Sequence, residues 1–164
     1  MTIRVGILTL SDRSARGERA DTSGSALAHL IQAEGWSVIK QTILPDDQPS
    51  IMEMLIEWAD SGEIDLILTT GGTGFAPRDV TPEATRAVIQ REAPGLSEVM
   101  RSAGLAKTPH AMLSRSVCGI RGKTLIVNLP GSPKGAVENV QTILPVLPHA
   151  VQLLRNDPAS EASH

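Results

Sequence analysis

The chain has 164 residues, a formal net charge of −3, 41% hydrophobic residues and only 2% aromatic residues. The negative charge argues against a protein that binds DNA, RNA or anionic lipid through an overall positive field. The low aromatic share argues against the stacking of single-stranded bases on aromatic side chains. We therefore predict no nucleic-acid partner and no membrane partner.

The length predicts one domain, residues 1–155, followed by a flexible tail over residues 156–164. The N-terminus has the pattern of a first strand and not that of a signal peptide, and no apolar run reaches the roughly 20 residues that cross a bilayer. Cys118 is the single cysteine and is interpreted as a buried side chain. These features predict a protein of the cytoplasm.

Strand and helix patterns alternate along the chain. The predicted strands cover residues 3–10, 36–44, 66–68 and 124–128, and residues 114–118 are either a short strand or an irregular loop. The predicted helices cover residues 25–33, 49–59, 82–91, 96–106, a segment that starts near 133, and about 149–154. The residues expected to cap helices are Asp21, Asp47 and Thr81.

This alternation predicts an α/β fold with three layers, in which a mainly parallel sheet carries helices on both faces. Folds of this kind bind ligands outside the carboxyl ends of their strands. Four polar loops follow predicted strands, at residues 11–13, 45–47, 71–74 and 129–131. We therefore expect these loops to meet at one edge of the sheet.

The loop at residues 71–74 reads Gly-Gly-Thr-Gly and follows a buried strand. Glycine accepts positive φ and leaves room for a ligand to reach the main chain. Successive N–H groups in such a turn form an anion-binding concavity, to which the N-terminus of the helix at Pro82 would add a positive dipole end. The pattern indicates a phosphate site, and the alternative is a plain tight turn.

Two familiar nucleotide-binding fingerprints do not fit. Pro77 stands where a dinucleotide-binding loop needs its third glycine. The tail of a P-loop is matched at residues 122–124, but Val117 stands at the earlier glycine and the lysine precedes a strand. The glycine-rich loop is therefore of another type.

Asp46 and Asp79 are the candidate metal ligands, because each stands beside a loop expected at the phosphate site. Mg²⁺ prefers one or two carboxylates together with phosphate oxygens and water. It would stabilise the charge on a departing pyrophosphate. For each aspartate the alternative is a local turn or capping role.

Three further segments offer polar groups at strand ends or loops. Residues 11–13, Ser-Asp-Arg, either bind polar ligand groups or form a plain turn. Ser114 and Arg115 supply either a mobile phosphate partner or an exposed charge. Residues 128–131, Asn-Leu-Pro-Gly, either hold a heterocycle at close range or form a structural turn.

No serine stands in a nucleophile elbow and no histidine is paired with a nucleophile, which argues against covalent hydrolysis.

Taken together, these segments resemble the MogA/MoaB family of molybdenum-cofactor biosynthesis. The resemblance is carried by residues 69–74 (TTGGTG), 78–83 (RDVTPE), 45–46 (PD), 128–131 (NLPG), 11–13 (SDR) and 113–115 (LSR), and it extends over roughly residues 3–154. It implies a Rossmann-like topology and a molybdopterin adenylyltransferase, which transfers AMP from Mg-ATP to the terminal phosphate of molybdopterin and releases pyrophosphate. It also implies a homotrimer and a molybdenum-inserting protein as the downstream partner.

The resemblance also implies roles for individual residues. Asp46 and Asp79 would be the catalytic, Mg²⁺-associated carboxylates. The expected ligand-binding residues are Ser11, Asp12, Gly71, Gly72, Thr73, Gly74, Ser114, Asn128, Pro130, Gly131 and Ser132. Since the attacking group is itself a phosphate anion, catalysis would rest on alignment and electrostatic stabilisation. The alternatives are a non-catalytic pterin-binding paralogue and a trimeric interaction module.

Overall fold

The computed structural model describes residues 1–163 and contains one six-stranded sheet in the order β2-β1-β3-β6-β5-β4. The strands are β1 (Arg4–Leu10), β2 (Ser37–Leu44), β3 (Leu66–Thr70), β4 (Arg91–Glu92), β5 (Cys118–Arg121) and β6 (Thr124–Leu129). β1, β2, β3 and β6 are parallel to one another, and β5 and β4 extend the sheet in antiparallel pairing. The predicted mainly parallel α/β sheet is confirmed.

Seven α-helices connect or flank these strands within residues 1–163. They are α1 (Asp12–Ala15), α2 (Thr22–Ala33), α3 (Gln48–Asp60), α4 (Thr81–Val88), α5 (Pro94–Leu105), α6 (Pro133–Ile143) and α7 (Leu147–Arg155), with short 3₁₀ helices at Pro109–Leu113, Leu144–Val146 and Pro158–Ser163. The last of these lies in the segment predicted to be a flexible tail. The flexibility of that tail and the domain division at residue 155 stay predictions, and His164 lies outside the described residues.

Apolar clusters on the two faces of the sheet create the three layers. On one face, buried residues of α2, α6 and α7 pack against β1 and β3 through side chains such as Leu27, Val140 and Val151. On the other face, α3 and α4 supply the buried side chains Ile51, Leu55, Trp58, Ala84 and Val88. Cys118 is also buried, which raises the pKa of its thiol to about 12.

Local capping chemistry explains where two helices begin. The Asp21 carboxylate accepts a hydrogen bond from the N–H of Gly24 (2.9 Å), and the Asp47 carboxylate accepts one from the N–H of Ser50 (3.1 Å). Both predicted caps are confirmed. Thr81 is a correction, because Val80 is the N-cap of α4 and the buried Thr81 hydroxyl instead donates to the carbonyl of Gly71 (2.9 Å).

The predicted end of the helix that starts at residue 82 is also wrong. The helix expected over residues 82–91 ends at Val88, since Ile89 turns to extended backbone and the N–H of Gln90 donates to the carbonyl of Ile120 (2.8 Å). Arg91 and Glu92 then pair with β5. The strand near residue 118 begins only at Cys118, so the open alternative for residues 114–117 resolves to irregular chain.

Asp65, just before β3, connects the start of β1 to the end of α7. Its carboxylate accepts hydrogen bonds from Arg4 and from Arg155, and its side chain is only 3% exposed. Burial raises the pKa of Asp65, but the hydrogen bonds from the two arginines outweigh it and hold the pKa at about 2. The two ion pairs therefore join the start of β1 to the end of α7.

Asp65→Asn is expected to lower the free energy of unfolding at pH 7 by about 2–3 kcal/mol, the value of a pKa lowered from 3.8 to about 2. A lowered pKa gives stability that is present above pH 3.8 and is lost as the pH falls toward 2, so wild type and variant should converge there. Urea unfolding at pH 7 and at pH 2 measures this. The control is Asp60→Asn, whose exposed pair with Arg121 should contribute almost nothing; equal losses in the two variants would contradict the argument.

Candidate functional site

The loops after β1, β2, β3 and β6 meet at one edge of the sheet. Strand register places the ends of these strands side by side, with Leu10 opposite Leu44, Thr9 opposite Thr70, and Thr70 opposite Leu129. This juxtaposition agrees with the sequence prediction. It brings the glycine loop, defined as residues 71–74, next to residues 11–13, 45–47 and 130–132.

The glycine loop is held where only glycine fits. Gly71 and Gly72 have φ of +101° and +67°. A Cβ on Gly71 would lie 2.3 Å from the carbonyl oxygen of Leu10, and one on Gly72 would lie 2.3 Å from the hydroxyl oxygen of Thr81. The loop is thus pressed between the end of β1 and the start of α4, and glycine at these two positions leaves no side chain between the main chain and its surroundings.

Two cavities flank this loop. The first, called here the carboxylate cavity, has a volume of about 390 Å³ and contains both candidate aspartates. Its lining includes Ser11, Arg19, Asp46, Gly71, Gly72, Asp79, Gly131 and Ser132. The second, called the helix-side cavity, has a volume of about 350 Å³ and lies against α5, α6 and the 3₁₀ helix Pro109–Leu113. Its lining includes Thr73, Gly74, Lys107, Ser114, Pro130 and Ser132, so Ser132 borders both cavities.

Asp46 presents a carboxylate oxygen that the described protein does not satisfy. Its Oδ2 accepts a hydrogen bond from the N–H of Asp12 (3.1 Å), while its Oδ1 is buried and has no hydrogen-bond partner among the described residues. Burial raises the pKa of the Asp46 carboxyl, and the nearby charges of Asp12 and Asp79 raise it further. A buried acceptor left unpaired is costly, so this oxygen is suited to a cation or a ligand donor.

Asp79 lies across the same cavity and closes a turn. Its Oδ2 accepts a hydrogen bond from the N–H of Ala76 (3.1 Å), and its own N–H donates to the carbonyl of Ala76 (2.9 Å). A Cβ on Gly74 would lie 2.9 Å from that Oδ2, so the carboxylate stands directly beside the glycine loop. Asp79 therefore combines the turn role and the site position that the sequence left as alternatives.

Asp12 supports the site without lining either cavity. Its carboxylate accepts two hydrogen bonds from Arg78, at 2.9 and 2.8 Å, and a third from the N–H of Asp46 (3.0 Å). Hydrogen bonding by Arg78 holds the pKa of Asp12 below its ordinary value. Because its oxygens are used in this way, Asp12 orients Asp46 through reciprocal backbone contacts.

Asn128 lies away from both cavities, in contrast to the pocket position expected for it. Its side chain is fully buried, where Oδ1 accepts a hydrogen bond from the N–H of Val117 (3.1 Å). Its Nδ2 donates to the hydroxyls of Thr69 (3.0 Å) and Thr85 (2.9 Å). With every partner inside the protein, Asn128 ties β6 to β3 and α4, while the following Pro130, Gly131 and Ser132 reach the cavities.

The serines predicted to contact ligand are at the cavities. Ser11 lines the carboxylate cavity and caps α1, where its Oγ accepts a hydrogen bond from the N–H of Ser14 (3.1 Å). Ser132 caps α6 in the same way through the N–H of Gly135 (3.1 Å). Ser114 lines the helix-side cavity and donates to the hydroxyl of Ser116 (3.1 Å).

Two basic residues at the site differ from expectation. Arg19 lines the carboxylate cavity although no sequence pattern points to it, because it stands in an irregular loop between α1 and α2. Arg115, for which the sequence offered the roles of a phosphate partner or an exposed charge, forms an ion pair with Glu83 (2.7 Å) and lines neither cavity. Within residues 1–163, no group of three or more His, Cys, Asp or Glu side chains is arranged to hold a metal ion.

Comparison with known proteins identifies the family. Residues 6–149 match the family model described as a probable molybdopterin binding domain. The chain is 47% identical over 157 residues to the molybdenum cofactor synthesis protein cinnamon of Drosophila melanogaster, covering 95% of this chain and 26% of cinnamon. It therefore spans only about a quarter of that relative.

Relatives of similar length give the same result. The chain is 41% identical over 155 residues to the molybdopterin adenylyltransferase of Helicobacter pylori strain J99, covering 93% of this chain and 88% of the relative. The crystal structure of the molybdopterin biosynthesis enzyme MoaB from Thermus thermophilus is 55% identical with a TM-score of 0.90, covering 96% of this chain and 99% of that one. In the part of the chain that the structure describes, no helix is long and apolar enough to span a membrane. As the resemblance of its loops predicted, the chain belongs to the MogA/MoaB family of molybdopterin-binding domains.

Proposed function

We propose that this chain is a molybdopterin adenylyltransferase, which transfers AMP from Mg-ATP to the terminal phosphate of molybdopterin and releases pyrophosphate. The observation that carries the proposal is the buried, unpartnered Oδ1 of Asp46, which lies at a glycine loop and shares its cavity with Asp79. The name of the Helicobacter pylori relative supports the same activity.

The residues of the carboxylate cavity fit Mg²⁺. Asp46 and Asp79 are oxygen donors on one cavity, and Asp46 has an oxygen without a protein partner among the described residues. Mg²⁺ is usually held by one or two carboxylates together with phosphate oxygens and water, and these two aspartates can supply the carboxylates. When bound, Mg²⁺ would neutralise charge on the phosphates and on the departing pyrophosphate.

The chain's own contribution is alignment. Gly71 and Gly72 line the carboxylate cavity without side chains, which lets phosphate groups approach Gly72, while the N–H of Gly71 donates to the carbonyl of Leu129 (3.1 Å). Arg19 adds a positive charge to the same cavity. The Thr70 hydroxyl donates to the carbonyl of Pro130 (2.7 Å) and so fixes the 130–132 loop against β3. Since a phosphate anion attacks the α-phosphate, positioning and electrostatic stabilisation supply the catalysis without a protein nucleophile.

The two cavities provide one compartment for each substrate, with the glycine loop and Ser132 between them. In this proposal the direct ligand contacts come from Ser11, Gly71, Gly72, Thr73, Gly74, Ser114, Pro130, Gly131 and Ser132. Asp12 and Asn128 act indirectly, by holding Asp46 and β6. A homotrimer, a molybdenum-inserting protein as the recipient of the product, and a cytoplasmic location complete the proposal.

The test is pyrophosphate release by the purified protein mixed with molybdopterin and Mg-ATP. We expect release that requires the pterin and stops when EDTA removes Mg²⁺. Omission of pterin controls for simple ATP hydrolysis. Measurable pterin binding without pyrophosphate release would instead identify a non-catalytic pterin-binding paralogue, and failure to bind either ligand would identify an interaction module.

A further inference from the structure

Arg115 makes a set of hydrogen bonds to the backbone around the site. Its Nε donates to the carbonyl of Gly74 (2.8 Å) and its Nη2 donates to the carbonyl of Asp79 (2.8 Å). Its main-chain N–H donates to the carbonyl of Thr73 (2.9 Å). One residue of the irregular segment before β5 thus bonds both the glycine loop and the residue that carries the second carboxylate.

Glu83, in the first turn of α4, fixes the guanidinium from the other side. Its Oε2 accepts from Nη1 of Arg115 (2.7 Å) and its Oε1 accepts from Nη2 (3.1 Å). A planar guanidinium can make this paired contact and still direct its remaining N–H groups at two carbonyls, whereas a lysine ammonium cannot. The arrangement therefore depends on arginine itself and not only on its charge.

The bonds of Arg115 close the segment from Gly74 to Asp79 at both ends. Inside this segment, the Asp79 carboxylate already bonds the N–H of Ala76 and stands next to the Cα of Gly74. With the two end carbonyls held by one rigid group, the carboxylate has a set position relative to the glycine loop. Arg115 itself lines neither the carboxylate cavity nor the helix-side cavity.

We propose that Arg115 is a positioning residue that holds the glycine loop and Asp79 in the arrangement required for adenylyl transfer. The inference rests on the proposed function. Arg115 acts through the carbonyls of Gly74 and Asp79, with Glu83 as its anchor, and does not contact substrate. Small misplacements of aligned groups cost about 10²-fold in rate, so the contribution of this residue is measurable in kcat.

The experiment compares Arg115→Lys with Arg121→Lys. Arg121 has the same kind of contacts, a paired bond to Asp60 and a bond to the carbonyl of Val88 (2.9 Å), but it is in β5 outside both cavities. We expect Arg115→Lys to lower kcat for pyrophosphate release by about 10²-fold with little change in KM for ATP. Arg121→Lys should keep the wild-type kcat. Each of the two lysine variants should show a small loss in melting temperature of similar size.

A second readout does not depend on turnover. Amide hydrogen exchange over residues 73–79 is expected to be faster in Arg115→Lys than in the wild type or Arg121→Lys. If Arg115→Lys does not fold, Glu83→Gln removes the anchor and should give the same two changes. A wild-type kcat in Arg115→Lys, equal kcat losses in the two lysine variants, or unchanged exchange would overturn the inference. A wild-type protein that releases no pyrophosphate would overturn the proposed function, and the exchange result would still show whether Arg115 holds the loop.

Discussion

Asp46→Asn is expected to lower the rate of pyrophosphate release by about 10²-fold or more and, at the same time, to raise the melting temperature at pH 7. In the proposed reaction, the first effect follows from the loss of a charged oxygen that would help to hold Mg²⁺ beside the phosphates. The second follows from the environment of the side chain, because its Oδ1 is buried without a hydrogen-bond partner among the described residues. Loss of function and gain of stability would thus come from one atom.

The pH dependence of the second effect has a definite sign. Burial raises the pKa of Asp46 above its ordinary value of 3.8. A carboxyl group with a raised pKa contributes stability that is fully present below pH 3.8 and is lost as the pH rises through the folded-state pKa. The ionised group therefore destabilises the wild type at pH 7, and an amide does not ionise. The advantage of Asp46→Asn in melting temperature should shrink as the pH falls toward 3.

Asp47→Asn is the matched control, one residue along the chain. The Asp47 carboxylate caps α3 through the N–H of Ser50, and its hydrogen bonds with Ser50 hold its pKa below the ordinary value. We expect this variant to keep wild-type turnover and to melt slightly lower, the opposite of Asp46→Asn. Asp79→Asn should lose most turnover while keeping the fold.

For Asp46→Asn, wild-type turnover would show that Asp46 takes no part in the reaction. A melting temperature below that of the wild type at pH 7 would contradict the argument from burial.

The parts of the fold that sequence predicts well are those with local causes. Alternating apolar periods predicted the parallel sheet, and Asp21 and Asp47 predicted helix starts because a cap and its N–H partner are only three residues apart. The same logic predicted that four loops would share one edge, since parallel strands present their carboxyl ends together. Asp46 and Gly71 lie at that edge because they follow the ends of β2 and β3.

The parts that sequence did not predict depend on partners far along the chain. Thr81 is a residue type that often caps a helix, but its hydroxyl donates to the carbonyl of Gly71, ten residues away in sequence. Arg115 has the chemistry of a phosphate ligand, but it binds Gly74 and Glu83. Asn128 is a residue type that can hydrogen-bond a heterocycle, but its Nδ2 donates to the hydroxyls of Thr69 and Thr85. In each case the local residue type allows several roles, and only the packed fold selects one.

Gly71→Ala is expected to lower the free energy of unfolding by about 3 kcal/mol or more, as the sum of two costs. The first is backbone strain, because Gly71 has a φ of +101° that L side chains rarely adopt. The second is a clash, because the new Cβ would lie 2.3 Å from the carbonyl oxygen of Leu10, at the end of β1. That oxygen belongs to the backbone of a central strand, so it cannot move away as a flexible side chain would.

Gly62→Ala separates the two costs. Gly62 also has a positive φ, +75°, but no atom lies within 4 Å of its added Cβ. We expect this control to lose only about 1 kcal/mol, the cost of strain alone, and to keep wild-type turnover. Urea unfolding of both variants measures the difference, which is the contribution of the contact with Leu10. Equal losses would mean that the glycine loop can move to accept a side chain at residue 71. The close approach of residue 71 to β1 would then not be the reason for glycine at this position.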